Sequence, residues 1–448
     1  SLCGAISKMK TKTLKFGGSS LADSAQFRKV SRIIHEQTGR VYVVASAPGK
    51  RNREDTKVTD MLYDCYELAK AGKDFGPRLS EIQTRFSDIA KDLGADFDCA
   101  AEFETIRKHL SSGPERDYMA SRGEYLNSKL LASSLGFDFV DPATCVFFNA
   151  DGTLNATKTN EVLGKALEGT DKAVVAGFYG LGSEGHIKTF SRGGSDVTGA
   201  IVARASKSDV YENWTDVSGM LSADPRIVRE PEAIKEISYK ELRELSYMGA
   251  SVMHEDAVFP VRTAGIPINI RNTNKPADEG TWIVPHRSNL TENGRVVTGI
   301  AGKKGFASIR VEKAMLNNEV GFAAKLLNII AGAGVSFEHV PSAIDSMSVI
   351  VDSEDFRANR FRIMESITEQ LSPDSLIVDS GIALIAVVGV GMVYKRGVAA
   401  KVFTALAQND VNIRMIDQGS SEINIIVGID EADYEKAVNA LYDAFFRN

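Results

Sequence analysis

Four short segments put charged or hydroxyl side chains beside glycines in a way that suits phosphate chemistry. The first is Lys15-Phe16-Gly17-Gly18-Ser19-Ser20, directly after an apolar run. Two glycines let backbone N–H groups approach an anion closely, and Lys15 supplies a point charge to a transferring phosphoryl group. The GxxxxGK[ST] spacing of a P-loop is absent, and a plain strand–turn–helix reads the same residues equally well. The second is Ser191-Arg192-Gly193-Gly194-Ser195-Asp196, ahead of an apolar helix from Thr198 to Ala205. Arg192 can clamp a carboxylate or phosphate with two parallel hydrogen bonds, whereas Asp196 also reads as an ordinary first-turn acid. The third, Trp214-Thr215-Asp216-Val217-Ser218-Gly219 with Asp224-Pro225-Arg226, reads as a polar loop or as a nucleotide contact. The fourth, Ser121-Arg122-Gly123-Glu124, opens a helix, and Glu124 can hold an ammonium group or act as a helix-start acid.

The elements that must position these groups show in the hydrophobic pattern. Thr13–Phe16, Val41–Ala45, Ala173–Ala176 and Ile268–Ile270 are short apolar runs, as expected of strands buried on both faces. Amphipathic segments such as Gln26–His35 and Ser121–Leu135 lie between them. This alternation predicts an open, mostly parallel sheet with helices on both faces, and ligands of such sheets sit at the strands' carboxyl ends. The polar stretch Asn272–Gly294 reads as a linker to the last third of the chain.

That last third repeats itself at an offset of 76 residues. GFAAKLLNIIAGAGVSF from Gly321 matches GVAAKVFTALAQNDVNI from Gly397, and Met347–Val351 matches Ile423–Val427. Each unit reads as a small ferredoxin-like βαββαβ module. The second copy ends at its last helix, Ala432–Phe446, without a sixth strand.

Composition excludes several classes. The 448 residues suggest about three domains. A net charge of −6 gives no support to a nucleic-acid binder. The most apolar stretch, Ile382–Val393, is twelve residues, short of the about twenty that span a bilayer. The first twelve residues carry no long apolar run, so no secretory signal is expected and a cytoplasmic location is. The cysteines Cys3, Cys65, Cys99 and Cys145 are scattered without a CxxC, which indicates reduced thiols and no zinc site.

Taken together, KFGGSS, SRGE, GFYG, SRGGSD, WTDVSG…DPR, YMGASVMH and the paired C-terminal repeats resemble the aspartate kinases over nearly the whole chain. The relevant branch is monofunctional with two C-terminal ACT domains. The resemblance implies an α/β amino-acid-kinase (carbamate-kinase-like) three-layer sandwich over 1–300. Two ferredoxin-like ACT domains would follow at 305–380 and 381–448. It implies transfer of the γ-phosphoryl of ATP to the side-chain carboxylate of L-aspartate, with Mg²⁺ held mainly by the nucleotide phosphates and no protein metal site. The product, aspartyl phosphate, begins lysine, threonine and methionine synthesis.

By the same resemblance Lys15 binds phosphates and stabilises transition-state charge, with Asp196 orienting it. Arg192 clamps the aspartate α-carboxylate and Glu124 its ammonium. Thr59, Phe178, Gly193 and Ser195 complete that pocket. Phe16, Gly17, Gly18, Ser46, Thr215, Asp216, Leu221 and Arg226 fall on the nucleotide side. Ser251 and Leu221 stand where relatives often carry Lys and Tyr, and Glu255 where they often carry Pro. A carboxylate attacking a phosphoryl group brings two anions together, so the site needs positive charge and N–H donors rather than a general base. Glutamate kinase, acetylglutamate kinase and a non-catalytic amino-acid sensor are the alternatives.

ACT domains imply an amino-acid effector and a homodimer or dimer of dimers built through them. Met315, Gly321 and Phe322 mark a loop and helix start that suit a ligand carboxylate, with Ser336, Glu338, Ser342 and Asp345 beyond. The counterparts of Glu338 and Asp345 in the second repeat are Arg414 and Ser421. The acidic pair predicts that the first repeat alone takes a cationic effector, lysine rather than threonine, while a solvated surface acid reads Glu338 equally well.

Overall fold

The computed structural model describes residues 10–191, 193–250, 253, 255–287 and 294–447. Arg192, Ser251 and Cys3 lie outside the described residues, as does the side chain of Glu255. The chain divides into two compact units. The first takes residues up to 220 with 235–239 and 252–287; the second takes 221–234, 240–251 and 288–448.

The first unit is built on an eight-stranded sheet. Its order is Glu236–Ser238, Thr281–Val284, Ile268–Asn272, Val210–Thr215, Lys12–Phe16, Arg40–Ala45, Ala173–Ala176, Asp138–Val140. Every pairing is parallel except that of Ile268–Asn272 with Thr281–Val284. The supposed linker from Asn272 therefore contains a strand. Its apolar signal is only four residues, TWIV, between polar flanks, too short to register as a periodic run.

Alternation along the first strand sorts its side chains. Leu14 and Phe16 join a core with the Ser24–His35, Val58–Lys70, Gly76–Leu93, Cys99–Ser112 and Arg116–Leu135 helices. Thr13 and Lys15 point the other way, toward the Gly194–Ala205 helix and the turn after it. The neighbouring Val210–Thr215 strand alternates likewise. Trp214 stacks on Phe16 with ring centres 5.9 Å apart, while the Tyr211 hydroxyl reaches the Gly194–Ala205 helix. Beneath Trp214, the buried Glu212 accepts from Arg40 (3.0 Å), Lys12 (2.8 Å) and the indole N–H (2.9 Å). Burial alone would push the Glu212 carboxyl up, but these partners hold it below its ordinary value.

The first strand lies between a strand that follows it in sequence and one that comes about 200 residues later. That is a topological switch point, where open α/β sheets leave a crevice at the strands' carboxyl ends. Lys15, Gly17 and Gly18 sit at that end.

In the second unit the two repeats share one six-stranded antiparallel sheet. Its order is Phe337–His339, Ser346–Asp352, Gly299–Glu312, Ser375–Val388, Asn424–Asp430, Ile413–Asp417. Two long central strands serve both repeats. Gly305 and Gly381, both in the left-handed region, mark where each strand passes from one repeat to the other. The strand missing from the second repeat is supplied from upstream: Gly299–Lys303 pairs with Leu384–Val388. A count of elements within each repeat could not show this, because the strand precedes the first copy. Separate apolar clusters lie under each repeat, one around Leu326, Val349 and Ile363 and one around Val402, Val427 and Leu441.

Candidate functional site

Lys15 and Asp196 meet. Lys15 is buried, and its Nζ lies 2.7 Å from Asp196 Oδ1. Asp196 stands in the first turn of the Gly194–Ala205 helix, which starts abruptly because Gly193 and Gly194 adopt positive φ (67° and 26°). Asn213, the parallel-strand partner of Lys15, donates to the same Oδ1 at 2.9 Å. The Tyr211 hydroxyl donates to the Asp196 carbonyl at 3.1 Å. Two side chains of one strand thus hold Asp196, Asn213 at its carboxylate and Tyr211 at its backbone, and the carboxylate in turn fixes the ammonium of Lys15. Asn213 and Tyr211 were not foreseen. The only signal was a pair of polar groups at alternate positions in the strand VYENWT, and register was needed to interpret it.

The glycine loop is tight. The Gly17 N–H already donates to the Trp214 carbonyl (3.0 Å), so the loop's offer to an anion begins with Gly18. Gly18 opens the short Gly18–Leu21 turn, and a Cβ there would stand 2.9 Å from the Ala47 carbonyl oxygen. Gly49 N–H closes the contact by donating to the Gly18 carbonyl (2.8 Å). Phe16 is buried core beneath the loop, and its carbonyl accepts from the Ser46 N–H (3.2 Å).

Next to the pair, Ser195 is buried against Gly177, where a Cβ would come within 2.3 Å of Ser195 Oγ. Phe178 has φ +81°, a strained value for a bulky residue, held by its N–H to Thr198 Oγ1 (2.9 Å) and its carbonyl to Phe190 N–H (2.9 Å). Thr59 is half-buried in the first turn of the Val58–Lys70 helix.

Glu124 is buried on the Arg116–Leu135 helix. The Ala47 N–H donates to its carboxylate, but Oε2 has no hydrogen-bond partner. Burial pushes its carboxyl up to about 8, against that N–H, which pulls it down. Gly123 allows the approach, since a Cβ there would lie 2.7 Å from the Ala47 methyl.

Thr215 ends the Val210–Thr215 strand and Asp216 follows it, exposed, with the Thr215 hydroxyl donating to its carboxylate (3.3 Å). Leu221 and Arg226 belong to the second unit. Arg226 is exposed and paired with Asp224 at 2.6 Å. Among the described residues no group of three or more His, Cys, Asp or Glu is placed to hold a metal.

Within the second unit, Gly321 has φ +83° and caps the Phe322–Gly332 helix, whose Phe322 side chain is core. Met315 is exposed, and its N–H donates to Asp345 Oδ1 at 2.8 Å. Ser336, Ser342 and Asp345 are exposed, whereas Glu338 is half-buried and accepts from the Tyr247 hydroxyl. Arg414, the counterpart of Glu338, is held by Asp430 at 2.5 Å.

A lysine fixed at a sheet's switch point beside a glycine loop defines a phosphoryl-transfer unit of α/β type. Residues 10–272 match the amino acid kinase family, and residues 385–445 match the ACT domain. The chain is 41% identical to aspartokinase 3 of Bacillus subtilis (strain 168), over 97% of this chain and 98% of that one. The crystal structure of Clostridium acetobutylicum aspartate kinase, described as an allosteric enzyme, superposes with a TM-score of 0.89. It is 50% identical and covers 98% of this chain and 100% of that one. E. coli aspartokinase III with aspartate and ADP bound shares the fold at 23% identity and a TM-score of 0.72, over 98% and 100% of the two chains. The chain belongs to the amino acid kinase family, and its activity is that of an aspartate kinase.

Proposed function

We propose that the groups around Lys15 carry out the transfer and that Glu124 selects an amino acid as acceptor. The observation that carries this reading is the buried Glu124 carboxyl with one oxygen left without a partner. A group so placed favours a cation, and the α-ammonium of L-aspartate supplies one. Acetylglutamate, whose amine is acylated, offers no such charge. Arg192, Thr59, Phe178, Gly193 and Ser195 are assigned to the rest of the acceptor pocket.

The bound side-chain carboxylate is already ionised at neutral pH, so no base is required. Lys15, held by Asp196, whose carboxylate Asn213 orients in turn, faces the phosphoryl oxygens with its orientation set in advance. Such preorganised charge acts where the transition state develops negative charge. Donors from Gly18 onward, with Ser46, Thr215 and Asp216, are assigned to ATP, consistent with the ADP in the E. coli relative. Mg²⁺ carried by the phosphates supplies further charge neutralisation. Both contacts of the Asp196 carboxylate fall on Oδ1, an arrangement that suits orienting Lys15.

The effector is assigned to the first repeat, and lysine fits it. Glu338 and Asp345 have no acidic counterparts in the second repeat, and a second E. coli aspartokinase III structure contains lysine. Exposed Phe337 and Ile416 lie on the two edge strands of the shared sheet, a surface suited to pairing of copies into a homodimer or dimer of dimers. One panel tests the reading. ADP release should require aspartate over glutamate or acetylglutamate. Lysine should lower the rate, and Glu338→Ala should relieve that inhibition. Potent threonine inhibition without any lysine effect would contradict the effector assignment.

A further inference from the structure

Three buried oxygens on one face of the Arg116–Leu135 helix have no hydrogen-bond partner: Glu124 Oε2, Asn127 Oδ1 and Ser128 Oγ. Positions i, i+3 and i+4 lie together on a helix. Glu124 and Asn127 are also tied to consecutive backbone groups at the carboxyl end of the Arg40–Ala45 strand. The Ala47 N–H donates to Glu124, and Asn127 Nδ2 donates to the Ser46 carbonyl at 2.7 Å. That donor contact sets the amide's orientation, so Oδ1 is the atom turned away from Ser46.

Asn127 and Ser128 are fully buried, and Glu124 is 6% exposed. A buried acceptor without a donor is costly, and folded proteins keep few of them. Here three acceptors share one helix face and none of them has a donor. An alkylammonium carries three N–H donors and no acceptor, which is the complement of this face.

We infer that the α-ammonium of the amino-acid substrate is held by Asn127 Oδ1 as well as by Glu124, with the Ser128 hydroxyl as third acceptor. The inference rests on the assignment of Glu124 above and extends it to two residues that no motif pointed to. Glu124 provides the charge, while Asn127 provides direction, because its amide is locked by Ser46. An acceptor lacking the amine leaves all three oxygens unpaired.

The test uses the full chain and two variants, Asn127→Leu and Ser128→Ala. Aspartate is compared with succinate, which keeps both carboxylates and lacks the ammonium, as a competitive inhibitor. Asn127→Leu should raise the aspartate KM about 10–100-fold, the effect of one hydrogen bond to a charged group. The ATP KM and the succinate inhibition constant should stay close to those of the unmodified chain. Ser128→Ala should shift the same ratio in the same direction by less, and it carries the test if Asn127→Leu does not fold. Equal weakening of aspartate and succinate, or a lowered melting temperature with an unchanged aspartate KM, would overturn the inference. Either would mean that Asn127 shapes the pocket or the core without contacting the ammonium. Failure of the unmodified chain to phosphorylate aspartate would instead overturn the functional reading beneath it.

Discussion

Lys15→Ala should lower kcat by about 10²–10³-fold, the range for loss of one preorganised electrostatic donor. The reason is geometric. Lys15 is buried, its Nζ sits 2.7 Å from Asp196, and Asn213 donates to the same carboxylate oxygen. The cation therefore has its orientation before ATP arrives. Removing it leaves Asp196 as an uncompensated negative charge near the entering phosphates, so the loss includes a repulsive part. The aspartate KM should change little, because the acceptor's ammonium is assigned to a different face. Asp196→Asn should act in the same direction but less, since Lys15 survives with a weaker partner. Steady-state kinetics on both variants check this. A Lys15→Ala enzyme within about threefold of the parental kcat would remove Lys15 from the mechanism.

Glu124→Gln should cost about 10²–10⁴-fold in kcat/KM for aspartate, as for breaking a buried charge pair worth about 3–5 kcal/mol. It should also change two pH dependences of opposite sign. In the free protein the carboxyl is pushed up to about 8, from an ordinary 4.5. Between those values the folded state holds a proton that the unfolded state has released. Stability therefore falls as pH rises through this window, and Glu124→Gln should abolish that slope. Aspartate binding runs the other way, because its ammonium needs the ionised carboxylate. The parental kcat/KM for aspartate should climb toward pH 8 and then level, while the Gln variant lacks this limb. Urea unfolding and kinetics across pH 5–9 measure both. A variant that saturates with aspartate at the parental KM would contradict the assignment.

What the sequence disclosed depended on how local the signal was. The glycine pairs after Lys15 and Arg192 marked turns ahead of helices, and the fold brings Asp196, in the first turn of the Gly194–Ala205 helix, to Lys15 at the end of the first strand. The role of Asn213 depended on strand register: it matters because it pairs with Lys15, and no spacing encodes that. Gly17 looked like a phosphate donor, yet its N–H is taken by the Trp214 carbonyl from a strand about 200 residues away. Glu124 was legible in type but not in state, since only packing shows that it is buried with one oxygen unpartnered. The repeat at offset 76 revealed both ACT-like modules. It hid the strand at Gly299–Lys303, which completes the second module from before the first. Likewise Glu338 stood out by its charge, whereas its Tyr247 partner comes from a helix far upstream in the chain.

The central claim is that an aspartate side-chain carboxylate, seated by Glu124, attacks the phosphoryl group faced by Lys15. The most direct measurement traps the product. The full chain is incubated with ATP, Mg²⁺ and aspartate in hydroxylamine, which converts an acyl phosphate to a hydroxamate, and the product is identified by mass spectrometry. The account predicts aspartate β-hydroxamate in step with ADP release, its loss in Lys15→Ala and Glu124→Gln, and little product from glutamate. ADP release without hydroxamate, or equal product from acetylglutamate, would contradict it.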